Sequence, residues 1–478
     1  MNNLFKKLVS LVFVLVVVLT TVLGCSNSKK SPTGDADVNK ENNSEIATLV
    51  ENEKVFLSFK DLVSRVGGEF TFDGDKAVAK CGKDNIEVYK DKKEASLNSK
   101  NIVLKESPKV KDGELYVPIT FADETIDAKI SYNKETNNID VKTEVKIDYS
   151  KSFSVNYLKG GLKKVVDGDK RTLVLVPKGK EVPGEYKNEI VISTPIDNVL
   201  LGSTTQACHI RALDLVDSVK GVTTEMDQWR IPEIKEAMEN GKIEYVGKND
   251  APDYEKITTL KPSLAITYSG PSGLRDMMQK LDEVEINYAV CNEYLEENPL
   301  GRMEWIKFIG AFYDKEEEAT EYFNNTVAKL DEMKSKISGV EKPKVSWGMI
   351  SKGKVYVPEP DSYVAKMIEM AGGEYVFKEK NIGGGNISLE DFYAKSKEAD
   401  VLIYSSMNQY SPTLKSVVEQ APILEDIKAV QNKTVWCFHP DYYQSIDKTD
   451  ELIIDLAAMF HSDIYKDYEV KHYINYKE

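Results

Sequence analysis

NPLGRMEWIKFIGAFYDKEEEATEYFNNTVAKLDEMKSKISG, residues 298–339, is the stretch from which the rest of the chain can be read. Asn298 is an N-cap residue and Pro299 suits the first helical position. Leu300, Met303, Ile306 and Phe312 recur at helical spacing, and Trp305, Phe308 and Ile309 widen the apolar face. Asp314 with Glu317 reads as a second capping box. Ala319, Tyr322, Phe323, Thr326, Val327, Leu330, Met333 and Ile337 then keep the same rule, and Gly339 supplies a stop. The second helix would run roughly 35 Å at about 1.5 Å per residue, enough to span a domain. Residues 299–338 are therefore expected to be a spine helix between two α/β lobes.

On both sides of this stretch, short strands alternate with helices. Before it come strands at Glu189–Ser193, Val219–Thr223, Ile243–Val246, Leu264–Thr267 and Ile286–Val290, with helices at Thr205–Val216, Pro232–Met238 and from Tyr254. After it come strands at Lys344–Ile350, Val401–Tyr404 and Thr434–Phe438, with helices at Ser362–Met370 and Leu452–Phe460. Strands separated by helices pair in parallel, so each block predicts a doubly wound sheet. The expected lobes are 189–298 and 339–478, with 146–188 as a lead-in hairpin or linker.

Residues 46–145 form an α+β unit with an internal repeat. VFLSFKDLVSRVGGEFTFDGDKAVAKC starts at Val55, and LYVPITFADETIDAKISYNKETNNIDVK starts at Leu115. Each copy predicts a strand, a short helix and a strand pair. The second copy resembles the copper amine oxidase-like N-terminal domain of exported bacterial proteins. That module is non-catalytic, which implies a spacer or envelope-binding role.

The chain has 478 residues, a net charge of −15 and a pI of about 5.1. An acidic chain of this size builds several domains and does not suit nucleic acid as a partner. At the N-terminus, Lys6 and Lys7 precede an apolar run from Leu8 to Leu23, which is short for a bilayer span. The run closes on Val22-Leu23-Gly24-Cys25, which resembles the lipobox of bacterial lipoproteins. The resemblance implies a signal peptide over 1–24, lipidation of Cys25 and an anchor on the outer face of the cell membrane. Residues 25–45 are polar and read as a flexible tether. Cys81, Cys208, Cys291 and Cys437 lack metal-ligand spacing. No His/Asp/Glu set at such spacing appears either, so no metal site and no resident cofactor are expected. No nucleophile elbow or phosphate loop is present, and no enzyme is expected.

Two lobes joined by a long helix resemble the substrate-binding proteins of ABC importers for iron complexes, haem and cobalamin. The resemblance rests on Tyr254-Glu255-Lys256-Ile257 before Leu260-Lys261-Pro262-Ser263-Leu264, and on Ser388-Leu389-Glu390-Asp391-Phe392 before Ala399-Asp400-Val401. NPLGRMEWIKFIGAFYDKEEEATEYF and MAGGEYVF add to it. Ser263 and Ala399 depart from the family's Asp and Pro at strand starts. The resemblance implies that Glu255 and Glu390 dock onto the two subunits of a permease dimer. It implies a ferric chelate as ligand, with haem or a corrinoid as the alternative. A surface adhesin using the repeat domain is a further alternative.

Ligands of open α/β sheets bind beyond the carboxyl ends of the strands. The loops there are rich in Tyr, Trp and Asn. Trp229 and Arg230 are the foremost candidates, a ring to stack and a guanidinium to meet an anion. Tyr268, Tyr294, Tyr410 and Tyr442 follow. His439, in His439-Pro440-Asp441-Tyr442-Tyr443, could supply a metal ligand but reads as a surface or core residue, and His209 is expected to be structural.

Overall fold

The computed structural model describes residues 45–270, 274–380 and 385–476. The expectations for the signal peptide, Cys25 and most of the tether lie outside the described residues.

The repeat near the N-terminus folds as two related strand–helix–hairpin units. Lys54–Ser58 leads into the helix Phe59–Arg65, and Glu114–Pro118 into the helix Ile119–Thr125. The two leading strands pair antiparallel, with Leu57 opposite Val117. Phe59 and Phe121 meet across the pair at 6.2 Å between ring centroids, in a core that also holds Leu62, Val63, Ile86 and Val88. The hairpin of the first copy continues into a five-stranded meander, and that of the second, Lys129–Asn133 with Asn138–Lys142, stands alone. This unit meets the rest of the chain through charge. Lys159 reaches the buried Asp84 at 2.5 Å and its backbone N–H donates to Asp127, while Lys129 pairs with Glu317 at 2.8 Å.

Residues 146–188 are not a simple linker. Ser154–Tyr157, Lys163–Val166 and Thr172–Pro177 form an antiparallel sheet, and Ile190–Thr194 adds to it in parallel. The strand expected to open the N-terminal lobe thus belongs to this extra sheet. The reason lies in the Thr172–Pro177 strand, where Leu173, Val174, Leu175 and Val176 are all buried. A strand buried on both faces needs a neighbour along each edge. Lys163–Val166 provides one and Ile190–Thr194 the other.

The N-terminal lobe carries five parallel strands in the order Glu244–Tyr245, Val219–Val222, Val199–Leu201, Leu264–Thr267, Tyr288–Val290. In the C-terminal lobe Glu374–Tyr375, Lys344–Ser351, Val401–Met407 and Val435–Phe438 run parallel. Tyr473–Asn475 closes that sheet antiparallel, and Lys354–Tyr356 with Asn386–Ser388 extends it from the other side. The strand order reverses between Val199–Leu201 and Leu264–Thr267 in one lobe, and between Lys344–Ser351 and Val401–Met407 in the other. Such reversal points open a crevice at the carboxyl ends of the strands.

The spine is two consecutive helices, Pro299–Ala311 and Glu316–Lys336. The break falls at Phe312–Lys315, with Asp314 at φ +57°. Gly310 permits the sharp join, because a Cβ there would meet the Lys315 carbonyl at 2.8 Å and Ala319 at 2.9 Å. The expected Asp314/Glu317 capping box is absent. Lys315 is the N-cap residue, without a side-chain bond. Asp314 accepts from Lys163 at 2.7 Å instead, and Glu317 is held by Lys129.

The first spine helix is buried on nearly every side, not along one face. Its charged residues are buried too. Glu304 accepts the backbone N–H groups of Asp148, Tyr149 and Ser150, each at 2.8 Å, and pairs with Lys307 at 2.8 Å. Lys307 also donates to the Lys146 carbonyl. A charged pair inside the protein is sustained only by such full hydrogen bonding. The pair clamps the chain leading into the extra sheet onto the spine.

Candidate functional site

The start of the first spine helix sets the floor of a cleft between the lobes. Asn298 caps this helix by accepting from the Leu300 N–H at 2.9 Å, and Pro299 pre-sets its first turn. That turn presents Arg302. The N-terminal lobe adds Thr205, one turn past its first parallel strand. The C-terminal lobe adds Tyr363 and Met367 from the helix Tyr363–Met370, Tyr442 and Tyr443 from the turn after its last parallel strand, and Leu452 from the helix Thr449–Phe460. The cavity at its base has a volume of about 70 Å³.

The Arg302 guanidinium lies 4.0 Å over the Tyr363 ring. Its Nε is buried without a hydrogen-bond partner. Tyr442 stacks on Phe438 with ring centroids 3.9 Å apart, and Tyr443 meets Tyr442 edge-on. Burial raises the Tyr442 phenol well above its ordinary range and pushes the Tyr443 phenol up to about 12. Both rings are therefore neutral hydroxyls at physiological pH. On the opposite wall Thr205 donates to the buried carboxylate of Glu293, whose pKa is raised by its burial. The lining combines apolar ring faces, neutral hydroxyls and one cation.

Of the six residues expected to bind ligand, Tyr442 alone lines this cavity among the described residues. Trp229 is 2% exposed and sits in the core, with its Nε1–H donating to the Thr224 carbonyl at 3.2 Å. Arg230 donates to the Asp227 and Trp229 carbonyls at 2.7 and 3.0 Å, and its own N–H goes to Gln444. The short turn Met226–Gln228 folds the guanidinium back onto its own loop and turns the indole inward. Tyr268 and Tyr294 do come together, edge-on at 5.7 Å, at the carboxyl ends of the N-terminal lobe strands. Tyr268 accepts from Asn249, Tyr294 donates to the Ser269 carbonyl, and neither lines the cavity. Tyr410 stands apart, 70% exposed.

Arg302, Tyr363, Tyr443, Thr205 and Glu293 were not anticipated as site residues. One signal for Arg302 was present. A lone cation in the first turn of an apolar helix opposes the helix dipole, so its position needs another reason.

His209 is fully buried, and neither ring nitrogen has a partner. His439 joins a chain of polar contacts, 2.7 Å from Asp441, which lies 3.3 Å from His472, itself 3.2 Å from Glu451. Among the described residues, no group of three or more His, Cys, Asp or Glu side chains is placed to hold a metal ion.

Glu255 and Glu390 occupy corresponding places. Glu255 is exposed in the first turn of the helix Tyr254–Leu260, which Asp253 caps, and Glu390 is exposed in the first turn of Leu389–Ser396, which Ser388 caps. The strand following each helix, Leu264–Thr267 or Val401–Met407, lies just across the reversal point of its sheet. Neither carboxylate forms an ion pair or hydrogen bond among the described residues. Buried polar contacts also join the lobes directly, Arg211 to Asp447 and Gln444 to the Gln228 carbonyl.

A family described as periplasmic binding protein matches residues 210–442, and one described as copper amine oxidase N-terminal domain matches 37–141. An uncharacterized lipoprotein of Methanocaldococcus jannaschii is 33% identical over 373 residues, covering 72% of this chain and 89% of the relative. The chain belongs to the periplasmic binding protein family. A second uncharacterized lipoprotein of the same organism is 27% identical, over 66% of this chain and 82% of its own length. Among solved structures, an ABC transporter substrate-binding protein from Listeria monocytogenes EGD-e aligns with 56% of this chain and 99% of its own, at 19% identity and a TM-score of 0.45.

Proposed function

We propose that this periplasmic binding protein captures an iron complex in the interlobe cleft and delivers it to the permease dimer of an ABC importer. It acts outside the cytoplasm, held to the membrane by a lipid on Cys25, and performs no catalysis. The observation that carries the reading is the correspondence of Glu255 and Glu390. Two exposed, unengaged carboxylates stand at matching points of two lobes, on either side of a cleft. That pattern suits a receptor made of two like subunits, each offering a cationic pocket. Support for the lipid comes from Cys25 in its lipobox-like setting and from two relatives named lipoproteins.

The ring-walled cleft supports a chelate or a flat macrocycle, so a haem- or corrinoid-carrying receptor of the same transporter type is the second reading. The test is the absorbance spectrum of protein purified from its native membrane, followed by thermal-shift assays with a ferric chelate, haemin and a corrinoid. A ferric charge-transfer band or a chelate-induced shift is expected. A protein that neither carries a chromophore nor responds to any of the three would sink the reading.

A further inference from the structure

Arg302 bears a charge that no carboxylate pairs with among the described residues. It lines the cleft, its guanidinium forms no ion pair among the described residues, and its Nε is buried without a hydrogen-bond partner. The nearby acid, Glu293, does not neutralise it through a hydrogen bond. Glu293 takes the Thr205 hydroxyl, and its other oxygen has no oxygen or nitrogen donor. Tyr363 covers the guanidinium on one side, its ring centroid 4.0 Å from the guanidinium carbon. A buried donor of this kind is normally satisfied in a native protein. Arg302 also sits on the buried spine helix, so its position is fixed relative to both lobes. A guanidinium fixed in a partly dry site is suited to meet an oxyanion through parallel hydrogen bonds.

We infer that Arg302 is the specificity-determining residue of the cleft, selecting ligands that place an anionic oxygen group against the spine and a flat face toward Tyr363, Tyr442 and Tyr443. This inference rests on the ligand-capture reading above and goes further by naming the charge of the ligand and the residue that reads it. It also moves the anion-reading role from Arg230, whose Nη1 is held by two carbonyls of its own loop.

The experiment measures binding by quenching of intrinsic fluorescence with four probes. Ferric tris-catecholate is trianionic and haemin carries two carboxylates; ferrioxamine B is cationic and dicyanocobinamide is uncharged. The full chain should bind at least one anionic probe about tenfold or more tightly than either of the other two, the margin expected of a charge-assisted hydrogen bond. Arg302→Gln should abolish that margin, Arg302→Lys should keep part of it, and Arg230→Gln should leave it intact. Raising the salt concentration should weaken the anionic probe alone, a readout that does not depend on any variant folding. Equal or tighter binding of ferrioxamine B or dicyanocobinamide overturns the inference, as does a margin that survives in Arg302→Gln. In either case ligand capture itself stands. Preference for haemin over ferric tris-catecholate, lost in Arg302→Gln, supports the inference and changes the cargo. Failure of all four probes to bind overturns both readings.

Discussion

The Arg211 guanidinium grips the Asp447 carboxylate from one lobe to the other, with contacts of 2.6, 2.8 and 3.0 Å. Arg211 lies in the helix Thr204–Ala212, and Asp447 in a turn that begins the C-terminal helix. Both side chains are largely buried, at 17% and 3% exposure. Tyr322 of the second spine helix donates to the Asp447 carbonyl. The lobes are thus tied by this ionic contact as well as by the spine. Arg211→Ala leaves a buried carboxylate unpaired and should cost about 3–5 kcal/mol in urea denaturation. The Arg211→Ala/Asp447→Ala double variant should lose less than the sum of the single losses. With both ties intact, X-ray scattering should show no resolvable change in radius of gyration on ligand binding.

Glu304 is a second buried charge with a mechanical task. Three backbone N–H groups and Lys307 all point at its carboxylate. Glu304→Gln turns an amide N–H₂ toward donors and leaves Lys307 uncompensated. A stability loss of about 3 kcal/mol or more is expected in denaturant titration. Lost stability with unchanged ligand affinity per folded molecule would mark the role as structural.

Glu255→Ala and Glu390→Ala test the permease contact. Uptake of the ligand should fall with either substitution and further with both. Affinity of the purified protein should stay at the wild-type value, because both residues stand outside the cleft. A collapse of affinity would reassign them.

His209 predicts acid lability. Burial pushes this imidazole down to about 3, so the folded protein holds it neutral while the unfolded chain protonates near 6.5. The unfolded state then binds more protons below about pH 6.5, and stability falls as pH falls. By pH 5 the loss is about 2 kcal/mol. His209→Leu removes two unpartnered polar atoms from the core and should flatten the decline, seen as a smaller drop in Tm between pH 7 and 5. His472 acts in the opposite sense. Burial lowers its pKa, but the hydrogen bonds and charges of Asp441 and Glu451 outweigh this and raise it overall. Its contribution is whole below about pH 6.5 and is lost as pH rises through the raised folded value.

The thiols Cys81, Cys208, Cys291 and Cys437 are all free. Burial pushes Cys81 up to about 11 and raises Cys208 and Cys291 further above the thiol range. Thiol titration should therefore be slow in the native protein and reach all four after unfolding, and reductant should leave Tm unchanged.

Periodicity in the sequence alone determined the two α/β lobes, the helical spine and the repeat unit, while Glu255 and Glu390 were marked out by the resemblance of the two short motifs around them. Those features depend on residues close together in the chain: apolar spacing within one helix, a cap beside its first turn, a short helix before a strand. The cleft wall was not legible in the same way. Trp229 and Arg230 read as a stacking ring and an anion receptor, yet core packing took the indole and carbonyls of its own loop hold Nη1 of the guanidinium. Arg302 and Tyr363 are 61 residues apart and meet only when the spine and the C-terminal lobe pack together. The strand expected at Glu189–Ser193 forms at Ile190–Thr194 and joins the extra sheet, not the sheet of the lobe. Local sequence specifies that a segment extends, whereas the edge it pairs with depends on which neighbour has an unmatched buried face. Side-chain direction and strand partner are properties of the packed molecule, because they are set by competition among groups that the chain brings together only on folding.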